Sequence, residues 1–210
     1  IDRDSGLATS SPHPLSTWVL AGEGRASVKM DGMATLFRDG RLWKRYDRKL
    51  NKQAAWRKAQ GQDLGPLTEA LFKTPPEGFE PCEPIPDPVS HHWPGWVPVH
   101  PTDPADRWLR EAWSAAGELK EGATYELVGP SLALNVYGLQ HHELRLHGEV
   151  VLEVPDRSFE GLRAFLSARD IEGLVFEHAD GRRAKVRRKD FDLFWVQEDP
   201  RKHHRRPRLP

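Results

Sequence analysis

Two Asp-Gly dipeptides, each set between β-prone runs, constrain the fold more than any other feature of the sequence. Met33–Arg38 and residues 41–46 flank Asp39-Gly40, and residues 173–178 and 182–188 flank Asp180-Gly181. Asp-Gly suits a two-residue type I′ turn, in which both central residues take positive φ and the turn's twist matches that of the paired strands. Antiparallel hairpins at two distant places favour an α+β chain with antiparallel sheets over a wound parallel sheet. Residues 74–104 carry ten prolines. Such a stretch is not helical, and it predicts an ordered loop holding one short strand over 96–99.

Other elements follow from periodicity and capping. Residues 48–59 are good helix formers. Asp103 and Pro104 read as an N-cap and first helical position, followed by Ala105, Trp108, Leu109, Ala112, Trp113 and Ala116 at helical spacing, with Gly117 as the stop. A helix over 158–169 is capped by Ser158. Thr124–Val128 and residues 149–154 read as strands, and the pattern turns strand-like from Trp18. The expected organisation is a loose lead-in over 1–17, one domain over 18–195 and a basic tail over 196–210.

Formal charge is balanced, with 31 Lys and Arg against 31 Asp and Glu, but it is unevenly distributed. Residues 38–58 hold nine cations (Arg38, Arg41, Lys44, Arg45, Arg48, Lys49, Lys52, Arg57, Lys58) against Asp39 and Asp47, and residues 182–189 hold six with no acid. Clustered cations suit a polyanion, since each phosphate neutralised releases condensed counterions. Solvated strand faces would carry the same residues. No apolar run is long enough to span a bilayer and no leader-like segment opens the chain, while Cys82 is the single cysteine, so a cytoplasmic setting is expected. The pairs His91-His92 and His141-His142 fit no clear zinc spacing.

Lys29, in Val28-Lys29-Met30-Asp31-Gly32, stands among apolar and small residues just ahead of the first hairpin. A lysine attacks only as the free amine, and an unperturbed pKa of about 10.4 leaves under about 0.1% of it at neutral pH. Desolvation and neighbouring cations lower such a pKa. Taken alone, these residues equally describe a surface lysine at a turn.

Further motifs follow in order: Lys44-Arg45-Tyr46-Asp47, Tyr125-Glu126-Leu127-Val128-Gly129, Ile171-Glu172-Gly173-Leu174-Val175 and Ala184-Lys185-Val186-Arg187. This series resembles motifs I, Ia, III, IV and V of the covalent nucleotidyltransferases, the superfamily of ATP-dependent ligases and mRNA capping enzymes. Arg45-Tyr46-Asp47-Arg48-Lys49 with Asn51-Lys52, Gly95-Trp96-Val97-Pro98-Val99, Asn135-Val136-Tyr137-Gly138-Leu139 and Phe191 with Trp195 resemble a group of small RNA ligases that includes the vertebrate enzyme joining 5′-phosphate to 3′-hydroxyl ends and its bacterial relatives.

The resemblance implies an ATP-grasp-like nucleotidyltransferase domain, with ATP and Mg²⁺ (or Mn²⁺) as cofactors and RNA as partner. It implies Lys29 as the nucleophile that carries AMP. Val28, Asp31, Gly32, Arg45, Glu126, His142, Lys185 and Arg187 would bind the nucleotide, Glu172 and Glu126 the metal. His142 would stack on adenine, with Tyr137 and His147 weaker candidates. The basic runs would receive RNA through Arg48, Lys49, Lys52, Arg188 and Lys189. Ala34 stands where many ligases have arginine, and Arg187 where they have a second lysine, which keeps charge but not a point-like ammonium. The 15 residues after Trp195 are too few for the oligonucleotide-binding barrel of DNA ligases and capping enzymes.

The second hairpin gives a geometric expectation. A two-residue Asp180-Gly181 loop pairs Ala179 with Arg182 and Glu172 with Lys189. Glu172, Leu174 and Phe176 then share a face with Lys185, Arg187 and Lys189. A carboxylate for Mg²⁺ and cations for an α-phosphate would lie together; a cross-strand ion-pair ladder would use the same residues. Alternation puts Glu126 outward on a half-buried strand. The expected activity is ATP-dependent RNA ligation, with a related enzyme acting on DNA ends or protein, or a non-catalytic RNA-binding relative, as alternatives.

Overall fold

The first Asp-Gly turn forms as expected. In the computed structural model, which describes residue 2 and residues 5–194, Asp39 and Gly40 take φ of 53° and 65° and join β2 (Met33–Arg38) to β3 (Arg41–Lys49). The tail expectation over 196–210, and Trp195, lie outside the described residues. The chain divides into two compact units. One comprises Ile1–Gly32, Val128–Gln140 and Leu146–Pro210, the other Met33–Leu127 and His141–Arg145. Strands pair antiparallel in both units, so the architecture is α+β with two antiparallel sheets.

In the first unit, β1 (Arg25–Lys29), β8 (Val151–Leu152), β9 (Gly173–Glu177) and β10 (Arg183–Arg187) form a sheet of order β10-β9-β1-β8. The strand-like reading from Trp18 is corrected: Thr17–Leu20 is a short helix, α1, and buries Trp18 and Val19. The helix expected over 158–169 spans Phe159–Ser167, with Ser158 accepting from Gly161 N at 3.1 Å; it is α4 in chain order. Its Leu162, Phe165 and Leu166 pack with Ala26, Leu174, Phe176 and Phe191 into the core of this unit.

The second unit holds a sheet of order β4-β5-β3-β2-β6-β7, with β4 Glu80–Pro81, β5 His92–Pro98, β6 Thr124–Val128 and β7 Glu143–Leu146. The helix expected from residue 48 is α2 (Lys52–Ala59), because Arg48 and Lys49 pair with Trp93 and His92 as the end of β3. Asn51 caps it, accepting from Ala54 N at 2.9 Å. The strand in the proline-rich stretch is longer than 96–99. It tolerates Pro94 and Pro98 because β4, its neighbour on one side, is two residues long and leaves it close to an edge strand. Asp103 and Pro104 open a 3₁₀ turn that leads into α3 (Arg107–Ala115). No helix among the described residues is long and apolar enough to cross a membrane.

Candidate active site

Lys29 ends β1, and register fixes what surrounds it. Lys29, Gly173 and Arg187 lie opposite one another across β1, β9 and β10; the next row is Ser27, Val175 and Lys185, and the third Arg25, Glu177 and Arg183. Opposed residues share a face, so one side of this sheet presents Lys29, Lys185 and Arg187. The reverse side sends Ala26, Leu174, Phe176, Ala184 and Val186 to the core. Val28, opposite Leu174, lies on that reverse side.

This register corrects the one expected from a two-residue turn. His178 N donates to Arg182 O at 2.9 Å and Gly181 N to His178 O at 3.0 Å, so the loop has three residues, Ala179, Asp180 and Gly181. Gly181, at φ 90°, takes the bulge position that an added residue requires. The Arg182 backbone N–H and the His178 and Arg182 side chains hold the Asp180 carboxyl down at about 2. The shift by one residue moves Leu174 and Phe176 away from Lys185 and Arg187 and into the core. Glu172 escapes the consequence because β9 begins only at Gly173.

The Glu172 carboxylate pairs with the Lys29 ammonium, which also donates to Met30 O at 3.1 Å. Their side chains are 14% and 20% exposed. Burial pushes the Glu172 carboxyl above its ordinary range, against the pull of Lys29. Lys185 is shifted down by desolvation, then by the charges of Arg187 and Lys29. Gly173 lets β10 approach: a Cβ there would stand 2.2 Å from Val186 O and 2.8 Å from the Arg187 Cα.

Two supports were not assigned from sequence. Asp190, 1% exposed, accepts from Arg187 N at 2.8 Å, Nε at 3.1 Å and Nη2 at 2.7 Å, which fixes the guanidinium and balances its charge. Its three-residue offset from Arg187 was the one available signal. Tyr137, considered only for stacking, accepts from Asp31 N through its hydroxyl at 2.7 Å and so braces the turn after the lysine. Tyr137 follows Ala133, Leu134 and Asn135, all at positive φ (44°, 57° and 52°). Asn135 clamps that strained run through Leu139 N and O, both at 2.9 Å.

Arg45, Glu126 and His142 belong to the second unit. Arg45 is exposed on β3, its guanidinium 5.4 Å from the Trp96 ring centroid and Nη1 3.3 Å from Cys82 Sγ. Glu126 is not an outward strand carboxylate: it is 8% exposed, in a strand whose residues 125–128 are all buried. His142, 3% exposed, stacks on Trp108 with centroids 4.3 Å apart and holds Nδ1 3.2 Å from Glu111 Oε1. One imidazole face is therefore already covered by an indole.

The basic runs separate into exposed and buried cations. Lys49, Lys52 and Lys189 are exposed. Arg48 and Arg188, expected on the RNA-binding face, are 5% and 8% exposed. Arg48 lies over the Phe72 and Trp93 rings and donates to Lys73 O at 2.8 Å. Arg188 donates to Phe194 O at 2.7 Å, Arg169 O at 2.5 Å and Leu166 O. Both act as structural struts, their guanidinium donors engaged by backbone carbonyls.

No protein-family model matches the chain. It is 32% identical to RNA ligase 1 of Mus musculus over 208 aligned residues, covering 75% of this chain and 62% of that protein. RNA ligase 1 of Rattus norvegicus is 32% identical, with 75% and 63% covered. RNA ligase 1 of Pongo abelii is 30% identical, with 73% and 62% covered. The chain thus spans a little under two thirds of the length of these relatives. Over about three quarters of its own length, this chain is similar to proteins named RNA ligase 1.

Proposed function

We propose that the protein is an ATP-dependent RNA ligase that joins 5′-phosphate and 3′-hydroxyl ends through AMP carried on Lys29. The observation that supports it best is the Lys29–Glu172 pair on the sheet face that also presents Lys185 and Arg187. A nucleophile, a carboxylate and two phosphate-sized cations are what phosphoryl transfer from a nucleotide asks of a protein. The homology to RNA ligases points to the same class.

In this reading the Lys29 amine attacks the α-phosphorus of ATP. An N–P bond forms, the bond from that phosphorus to the oxygen bridging the β-phosphate breaks, pyrophosphate leaves, and the lysine gives up a proton. Attack requires the ammonium paired with Glu172 to lose a proton first, since it has no free electron pair. Lys185 and Arg187 neutralise charge on the α-phosphate, with Arg187 aimed by Asp190. An RNA 5′-phosphate oxygen next displaces the lysine nitrogen to give an RNA–pyrophosphate–adenosine end, and a 3′-hydroxyl then displaces AMP.

Among the described residues no three His, Cys, Asp or Glu side chains converge as a metal cage. The donor set nonetheless fits Mg²⁺ or Mn²⁺, which bind through one or two carboxylates plus substrate phosphates. Glu172, a desolvated hard-oxygen donor, would hold the ion, with Glu126 as the second candidate. The ion would supply charge neutralisation on the triphosphate.

The test is incubation with α-labelled ATP. A covalent adenylate is expected in the wild type and absent in Lys29→Ala, and the labelled protein should seal RNA ends in preference to DNA ends. Label that persists in Lys29→Ala refutes the assignment.

A further inference from the structure

Trp56 has no structural reason to be a tryptophan. Of the seven among the described residues, six are buried or half-buried, while Trp56 is 60% exposed. Its helix docks by another side. Ala54, 1% exposed, sets α2 against Leu50, Phe72 and Trp93. Two residues on, at 100° per residue, Trp56 lies about 200° round the helix from that contact. Lys52 stands one turn before it on the outward side, and Gln53 is exposed nearby. Among the described residues the indole makes no ring contact, cation–π contact or side-chain hydrogen bond.

The surroundings identify the occupant. Residues 49–60 carry four cations, Lys49, Lys52, Arg57 and Lys58, and no acid. A protein-docking helix would surround such an anchor with large apolar residues; here the residues three and four away are Lys52, Gln53, Ala59 and Gln60, a cation, two amides and one small residue, which suit a polyanion better. An exposed indole flanked by ammonium groups takes a base on its face and phosphates beside it. An unpaired base is required, because a duplex keeps its faces stacked internally.

We propose that Trp56, with Lys52, forms a stacking platform for an unpaired base of single-stranded RNA. The platform deepens the RNA-ligase reading by naming where substrate is held, and it rests on that reading for its ligand and not for its lysine chemistry.

The test compares oligouridylate with a ribose–phosphate strand of equal length that lacks bases. Trp56→Ala should weaken oligouridylate binding by about 5- to 100-fold. Trp56→Phe should recover most of it, and the base-free strand should bind both proteins equally. Lys52→Ala should lower the salt slope by about one for either strand. Unchanged oligouridylate affinity in Trp56→Ala overturns the platform, as does an equal loss on the base-free strand. Self-association of the wild type that Trp56→Ala abolishes, with RNA affinity unmoved, overturns it in favour of a second copy of the chain. Adenylation of Lys29 separates the two readings. Loss of RNA affinity in a protein that never forms an adenylate leaves the platform standing and removes the ligase. Normal adenylation with unmoved RNA affinity removes the platform alone.

Discussion

Glu172 reaches the ammonium of Lys29 from one residue outside β9, where strand alternation no longer applies. Inside the strand it would face the core with Leu174 and Phe176. Ending the ladder at Gly173 is what turns a core-facing position into a partner for Lys29.

The pairing has a measurable pH signature. Burial raises the Glu172 carboxyl above its ordinary value of 4.5. Between that value and the folded one the native state binds more protons than the unfolded chain, so the group's contribution to stability falls as pH rises through the window. Glu172→Gln has no such proton to lose. Urea midpoints of wild type minus Glu172→Gln should decline from about pH 4.5 upward and level off once Glu172 is ionised in the folded protein. A flat difference across that range would contradict the buried pairing.

Lys185 gives the opposite sign. Its pKa is lowered from 10.5 by desolvation and by neighbouring cations, so its ammonium is held at a cost below the folded pKa, and stability from this group rises as pH climbs toward 10.5. An anion laid beside it removes the cost. Inorganic pyrophosphate should therefore raise the melting temperature of the wild type and do so much less in Lys185→Gln, which unliganded should melt no lower than wild type at neutral pH. Adenylate formation in Lys185→Gln should fall by about two orders of magnitude, as for loss of one preorganised charge contact.

The sheet topology was legible in the sequence where one turn type fits the residues, and misleading where two do. Asp39-Gly40 takes positive φ at both positions and gives the expected hairpin. Asp180-Gly181 serves equally in a bulged three-residue loop, and the Asp180 carboxylate, accepting from Arg182 N at 3.0 Å, favours that form. One residue of slip exchanged the faces of β10. That Lys29 and Glu172 belong together was nevertheless readable, because motif order does not depend on register, and the two pair in the structure. Burial was not readable. Cation runs in a sequence do not reveal which guanidinium will find carbonyls, as Arg48 and Arg188 did, and β alternation did not reveal that Glu126 is enclosed on both faces of its strand.

Gly173 sets how closely β10 lies to β9. A Cβ at 2.2 Å from Val186 O meets backbone, which has no rotamer to yield. Gly173→Ala should cost about 1–3 kcal/mol or more in urea unfolding. It should also reduce adenylation beyond what the stability loss explains, since β10 carries Lys185 and Arg187. A Gly173→Ala protein of wild-type stability would show that the strands do not approach in this way.

Arg188 separates a strut from a substrate contact. Its guanidinium spends its donors on Phe194, Arg169 and Leu166 carbonyls while the adjacent Lys189 is exposed. Arg188→Met removes several charge-assisted hydrogen bonds to backbone carbonyls, a loss of about 3 kcal/mol or more in the unfolding free energy. The salt slope of RNA binding should not change in whatever fraction remains folded, because a guanidinium closed off from solvent releases no counterion on binding. Lys189→Ala should behave in reverse, with unfolding unaltered and the slope reduced by about one. If Arg188→Met lowered the slope while leaving stability intact, the guanidinium would have to face the phosphate backbone, and the basic run would act as an uninterrupted stripe of cations.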